Sequence, residues 1–167
     1  MMGGLSWGQG SGGAVSSVGK IDVGVVLGAG RELDLRQAIP VPDFGGFWFS
    51  APAEVAITAR RIGRGVELDG TIEATAVGEC ARCLDDVRFP VYLDVAENLE
   101  PPGEKAGPFD DNNVLVGDQL DLTDLVRQLI DSALPITLLC NEECQGLCPS
   151  CGKKRGDACS CPPPDPE

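Results

Sequence analysis

Eight cysteines and no histidine in 167 residues set the strongest limit on what this chain folds into and does. They fall in two neighbourhoods, Cys80-x2-Cys83 and Cys140-x3-Cys144-x3-Cys148-x2-Cys151-x7-Cys159-x-Cys161. Without an imidazole there is no Ser-His-Asp or Cys-His nucleophile system, no two-histidine zinc protease and no imidazole proton shuttle. The start of the chain shows no charged, then apolar, then small-residue signal pattern. So heavy a load of thiols therefore reads as metal binding or redox chemistry before it reads as a disulfide framework.

Zinc asks for four soft ligands at tetrahedral corners, and a Cys-x2-Cys turn presents two thiolates to one ion from a single backbone reversal. Two such turns are present, and Cys148-Pro149-Ser150-Cys151-Gly152 is the more specific. Pro149 fixes φ inside the turn, and Gly152 permits the open conformation that follows it. Eight thiolates suggest two structural zinc ions of four ligands each. One partition joins Cys148, Cys151, Cys159 and Cys161, which span only 14 residues, and leaves Cys80, Cys83, Cys140 and Cys144 for the other site. The other joins the two Cys-x2-Cys turns and groups Cys140, Cys144, Cys159 and Cys161. Loop-closure entropy favours the first, while its tight Cys-x-Cys pair is its weak point.

Rival chemistry fits less well. A thioredoxin-like pair needs a thiol at a helix N-terminus, whereas Cys80-Ala81-Arg82-Cys83 lies between two strand patterns beside Asp85 and Asp86. A zinc deaminase needs its Pro-Cys-x-x-Cys far from the first ligand; here Cys148 follows Cys140 too closely, and the proline lies inside the turn. Sites filled by four thiolates are closed, so the reading is of a non-enzymatic protein.

Apolar residues alternate from Ile21 to Leu27, then through Leu33 and Leu35, through Val55, Ile57 and Ala59, and from Val66 to Ala76. The clearest alternation is Val87, Phe89, Val91, Leu93 and Val95, with Pro90 favouring a sheet edge. Residues 97–113 read as a loop. Leu122, Leu125, Val126, Leu129, Ile130 and Ala133 recur at helical spacing, with Asp121 as N-cap, Asp124 in the first turn and Pro135 beyond the end. The fold class expected is α+β: a mainly antiparallel sheet or partly open barrel, one principal helix over about 121–133 and a C-terminal zinc-knuckle segment. Residues 1–19 read as a flexible Gly/Ser-rich leader, 20–147 as the β-rich core, 148–161 as a knuckle appendage and 162–167 as a disordered proline-rich tail. No apolar run approaches the roughly 18 residues of a membrane span, and a cytoplasmic location is expected.

The succession Cys80-x-Arg82-Cys83-Leu84, an acidic loop, an Asp-Leu-x-x-Leu-Val helix ending at Leu134-Pro135, Cys140, Cys144 and Gly146-Leu147-Cys148-Pro149-x-Cys151-Gly152, with Cys-x-Cys at the close, resembles the YceD family. The resemblance covers roughly residues 20–161. It implies a factor for synthesis, processing or stability of large-subunit (23S) ribosomal RNA, acting in ribosome biogenesis, with no established catalytic activity. Where the family often carries Asn-Leu-Asn after the second turn, this chain has Lys153-Lys154-Arg155.

Charge bears on how such a factor would act. The formal net charge is −13. Each zinc on four thiolates carries a net −2, so two sites take it to about −17. Direct RNA binding draws on Lys and Arg neutralising phosphates. The tightest basic clusters, Arg60, Arg61 and Arg64, and Lys153, Lys154 and Arg155, with Arg82, are the candidates for contacting RNA or a partner. The alternative is an acidic zinc-ribbon-like module that holds a basic ribosomal or RNA-processing protein. A thiol–disulfide oxidoreductase is a third reading. No membrane and no small-molecule substrate are expected as partners.

Overall fold

The computed structural model describes residues 19–100, 115–156 and 159–162. Residues 1–18 of the expected leader (1–19), 101–113 of the expected loop (97–113) and 163–167 of the expected tail (162–167) lie outside the described residues. The elements are β1 (Lys20–Asp22), α1 (Gly24–Ala29), β2 (Leu33–Ile39), β3 (Phe47–Phe49), β4 (Ala53–Ile62), β5 (Gly65–Glu79), β6 (Asp86–Leu99), β7 (Leu115–Val116), β8 (Gln119–Asp121) and α2 (Leu122–Ala133).

Every strand pair is antiparallel. The long strand β5 is the axis of the main sheet. Along one edge it pairs with β6 over its full length, from Val66 opposite Leu99 to Glu79 opposite Asp86. Along the other it pairs first with β4 and then with β3, and β2 lies outside β4. A small second sheet runs β1-β8-β7. The sheets are open, so the expected antiparallel α+β fold is realised as an open sheet and not as a barrel. Pro90 sits on β6, which among the described residues pairs only with β5, so the missing N–H disturbs no second ladder there.

The alternation read from sequence separates two faces. Leu35, Val55, Ile57, Leu68, Ile72, Val91 and Val95 are buried on one of them. Against it lies α2, whose Leu122, Leu125, Val126 and Ile130 are buried while its opposite side is wet. Burying side chains of this size contributes about 1.5–3 kcal/mol each. Asp121 caps α2 by accepting the Asp124 N–H at 3.0 Å. Leu134 leaves the helix in extended geometry, as the residue before a proline should.

Two expectations need correction. The alternation over Ile21–Leu27 is strand only for Lys20–Asp22; Gly24–Ala29 is the short helix α1. A strand would have buried Val25 and exposed Val26, whereas Val25 is 52% exposed and Val26 fully buried. Val23 and Val26 share a face at helical spacing, and the Asp22 carboxylate accepts the Gly24 N–H to turn the chain. The loop expected from residue 97 begins later, because β6 continues to Leu99, which is buried opposite Val66.

Candidate metal centres

The hairpin joining β5 to β6 carries the first cysteine turn. Cys80 follows the last β5 residue, its N–H donates to Asp85 O at 2.8 Å, and the Leu84 N–H returns to Cys80 O at 2.9 Å. The second turn repeats this wiring: Cys148 N–H donates to Lys153 O at 2.8 Å, and Gly152 N–H to Cys148 O at 2.7 Å. In both, the residue after the second cysteine is left-handed, Leu84 at φ +62° and Gly152 at φ +70°. The glycine was legible as a knuckle residue. Leu84 was not, because a leucine carries no sign of left-handed geometry.

The chain after α2 closes the first site. Ala81 N–H donates to Leu138 O at 2.9 Å, which lays residues 138–144 beside the hairpin. Cys80, Cys83, Cys140 and Cys144 then bring four sulfurs within 4.8 Å of one another, and Cys148, Cys151, Cys159 and Cys161 do the same at a second site. This is the local partition of the two considered. The Sγ–Sγ distances are 3.9 Å for Cys80–Cys144, 3.7 Å for Cys83–Cys140 and 3.6 Å for Cys151–Cys159. A tetrahedron with edges near 3.8 Å has its centre about 2.3 Å from each corner, the length of a metal–thiolate bond. A disulfide would need about 2.05 Å. Each set can therefore hold one metal ion.

The electrostatics of the thiols point the same way. The N–H groups of Cys83, Arg82 and Cys140 face Cys80 and lower its thiol to about 6 against the effect of burial. The N–H groups of Cys151 and Ser150 lower Cys148 to about 6 in the same manner. The Asp85 N–H favours the Cys83 thiolate, but burial and the thiols of Cys80, Cys140 and Cys144 prevail and hold it at about 12. The thiols of Cys151, Cys148 and Cys159 push Cys161 up to about 12. Four thiolates this close repel one another, and a divalent cation at the centre removes the repulsion.

The two sites differ in shelter and are joined. Three ligands of the first are buried and one is half-buried; at the second, Cys148 is buried, Cys159 and Cys161 are half-buried and Cys151 is exposed. Leu147 N–H donates to Arg82 O at 3.0 Å. The Arg82 guanidinium donates to the carbonyls of Cys144 at 2.9 Å and Glu142 at 3.2 Å. Lys154 forms an ion pair with Asp85, the last residue of the first turn. Gly146, at φ +74°, passes so close that a Cβ would lie 2.9 Å from Arg82 O.

Of the basic candidates, Arg82 and Lys154 thus serve to tie the two turns together. Arg155 is half-buried beside Gln145, Cys159 and Cys161, and Lys153 is exposed. Arg60 pairs with Glu32 at 3.0 Å, Arg61 donates to Gly63 O, and Arg64 stands in the β4–β5 turn. The two basic clusters lie at opposite ends of the 15-residue β5, separated by roughly 45 Å. The fold does not bring them together.

An open antiparallel sheet whose hairpin and C-terminal segment supply two tetrathiolate sites defines a small β-rich domain with two candidate metal centres. The family model described as "Large ribosomal RNA subunit accumulation protein YceD" matches residues 68–167, and the chain belongs to the YceD family. The match starts within β5, so β1, α1 and β2 to β4 precede it. An uncharacterized protein of Mycobacterium tuberculosis is 31% identical over 102 residues, covering 59% of this chain and 49% of the relative. One from Mycobacterium leprae is 30% identical over 108 residues, covering 62% and 49%. The chain spans about half the length of these curated relatives. No solved structure matches it. Among the described residues no helix is long and apolar enough to cross a membrane.

Proposed function

We propose that this chain is a non-catalytic, zinc-stabilised factor of ribosome biogenesis that supports synthesis, processing or stability of large-subunit (23S) ribosomal RNA in the cytoplasm. The observation that carries the reading is the family match over residues 68–167, the stretch that contains all eight cysteines. Zinc is the metal this donor set suits, since four thiolates at tetrahedral corners select it or an iron–sulfur centre over hard cations. Bound there, zinc would supply folding energy and a fixed geometry. The chain's own residues hold two turns, a sheet edge and the segment after α2 in one arrangement around it. With every ligand position taken by sulfur, neither site offers an open position for substrate.

The test is deletion of the gene in its own organism, with the ratio of large- to small-subunit ribosomal RNA as the readout. The ratio should fall, and return when the intact chain is restored. An unchanged ratio would refute the ribosomal role. Elemental analysis of purified chain should give two zinc per molecule; iron, or no metal, would refute the cofactor.

A further inference from the structure

The main sheet has an outer face that nothing in the described residues covers, and the strand register fixes what stands on it. One row across β2, β4, β5 and β6 is Ala38, Glu54, Glu73 and Tyr92; the next is Arg36, Ala56, Thr71 and Asp94; the next is Asp34, Thr58, Asp69 and Ala96. Over the strands β2, β4, β5 and β6, this face carries eight carboxylates, the others being Glu67, Glu79 and Asp86, against the three arginines Arg36, Arg60 and Arg88. Arg60 is already paired with Glu32.

Two features make this more than an acidic wet face. Glu54 and Glu73 stand directly opposite each other with no cation between them among the described ion pairs, an arrangement that costs the free sheet stability. Beside them the small side chains of Ala38, Ala56 and Thr71 leave a shallow hollow of about 360 Å³, bounded by Glu54, Glu73 and, at its far end, Arg36. In the same row Tyr92 is 63% exposed, an aromatic ring left in water next to a carboxylate.

We infer that this face docks a basic protein segment, with one of its arginine or lysine side chains seated in the hollow between the Glu54 and Glu73 carboxylates. A guanidinium there makes charge-assisted hydrogen bonds to both carboxylates and lies within the row that ends in Tyr92, whose ring face attracts a cation. Arg36 at the other end sets the polarity of the hollow. RNA is the wrong partner for this surface, since its phosphates would meet the excess of carboxylates. The inference rests on the sheet face alone, so it stands whether or not the ribosomal reading does.

The test uses the full-length, metal-loaded chain, labelled with ¹⁵N and titrated with an (Arg-Gly)6 peptide, an (Glu-Gly)6 peptide and a single-stranded RNA oligonucleotide. The arginine peptide should shift the amides of Ala38, Ala56, Thr71, Glu73 and Tyr92. The double variant Glu54→Gln/Glu73→Gln should weaken that binding at least tenfold, and should fold at least as well because it relieves a repulsion. A control of equal charge change elsewhere, Asp118→Asn/Asp131→Asn, both exposed and away from this face and from the cysteines, should leave the affinity within twofold. Equal losses in the two variants would reduce the effect to net charge and overturn the inference. So would RNA shifting these amides, or the arginine peptide shifting only residues outside this face.

Discussion

Leu84 and Gly152 occupy the same place in two turns of the same wiring, and only one of them is a glycine. A leucine in left-handed geometry costs about 1–2 kcal/mol, and Leu84 is 57% exposed, so little packing is lost with its side chain. Leu84→Gly should keep both metals and leave thermal stability equal or higher, by up to about 1 kcal/mol after the extra entropy of glycine. A fall in melting temperature would mean that the leucine side chain contributes more by its packing than its left-handed backbone costs. Gly146→Ala should do the opposite. It combines left-handed strain with a clash against Arg82 O and should cost more than about 1 kcal/mol, read by chemical denaturation. Arg82 was legible as a cation but not as a clamp. Its partners are carbonyls of Glu142 and Cys144, some sixty residues away, and no local pattern announces a side chain's bond to a distant backbone. Both carbonyls accept from one terminal nitrogen, Nη1, so Arg82→Ala should weaken metal retention while Arg82→Lys, whose ammonium also carries three donors, should recover part of it, read by competition with a chelator.

At the level of elements, the strands of the main sheet and α2 were readable because their periods run long enough to be unambiguous. Val87 to Val95 and Leu122 to Ala133 each repeat one spacing over several residues, and a cap or a proline marks the helix ends. The stretch over Ile21–Leu27 misled because valines in succession satisfy both periods; only burial against the sheet chooses, and it buries Val26 over Val25. The cysteine partition was readable because short loops close at least cost. The joining of the two sites was not, since it runs through backbone bonds such as Leu147 to Arg82 and the pair Lys154–Asp85. That joining does not make them equal. The first site bridges the β5–β6 hairpin to the segment after α2 and is buried, whereas the second is local and partly open. Cys83→Ser should abolish the cooperative melt of the sheet, while Cys159→Ser should lose one metal and keep most of the transition. Calorimetry with metal analysis on both variants decides it, and equal losses would contradict the assignment of the first site to the core.

For the molecule as a whole, folding, metal and pH are linked, and the sign follows from the thiols. A metal ion at either cysteine cluster would be held by thiolates, so each ion bound at neutral pH would displace the protons that remain on the cluster. Cys80 and Cys148, lowered to about 6 by the N–H groups of their turns, are largely ionised at pH 7 before metal arrives. Cys83 and Cys161, both held at about 12 among neighbouring thiols, are protonated until the cation displaces their protons. Affinity should therefore rise with pH across the neutral range. It should fall more steeply once the pH drops below about 6, where even the first thiolate of each turn is protonated. Asp85 works in the same direction for its own reason. Its ion pair with Lys154 depresses the carboxyl, so the stability it lends is present above the ordinary carboxylate pKa and is lost as pH falls through the lowered one. Competition against a chromophoric chelator at pH 6, 7 and 8 measures the linkage, with proton release followed in weakly buffered solution. Several protons released per ion at pH 7, and tighter binding at pH 8 than at pH 6, are the expected results. A metal affinity that does not move with pH would be incompatible with thiolate ligation, and the open sheet would then have to hold its hairpin and C-terminal segment together by the Arg82, Leu147 and Lys154 bonds alone.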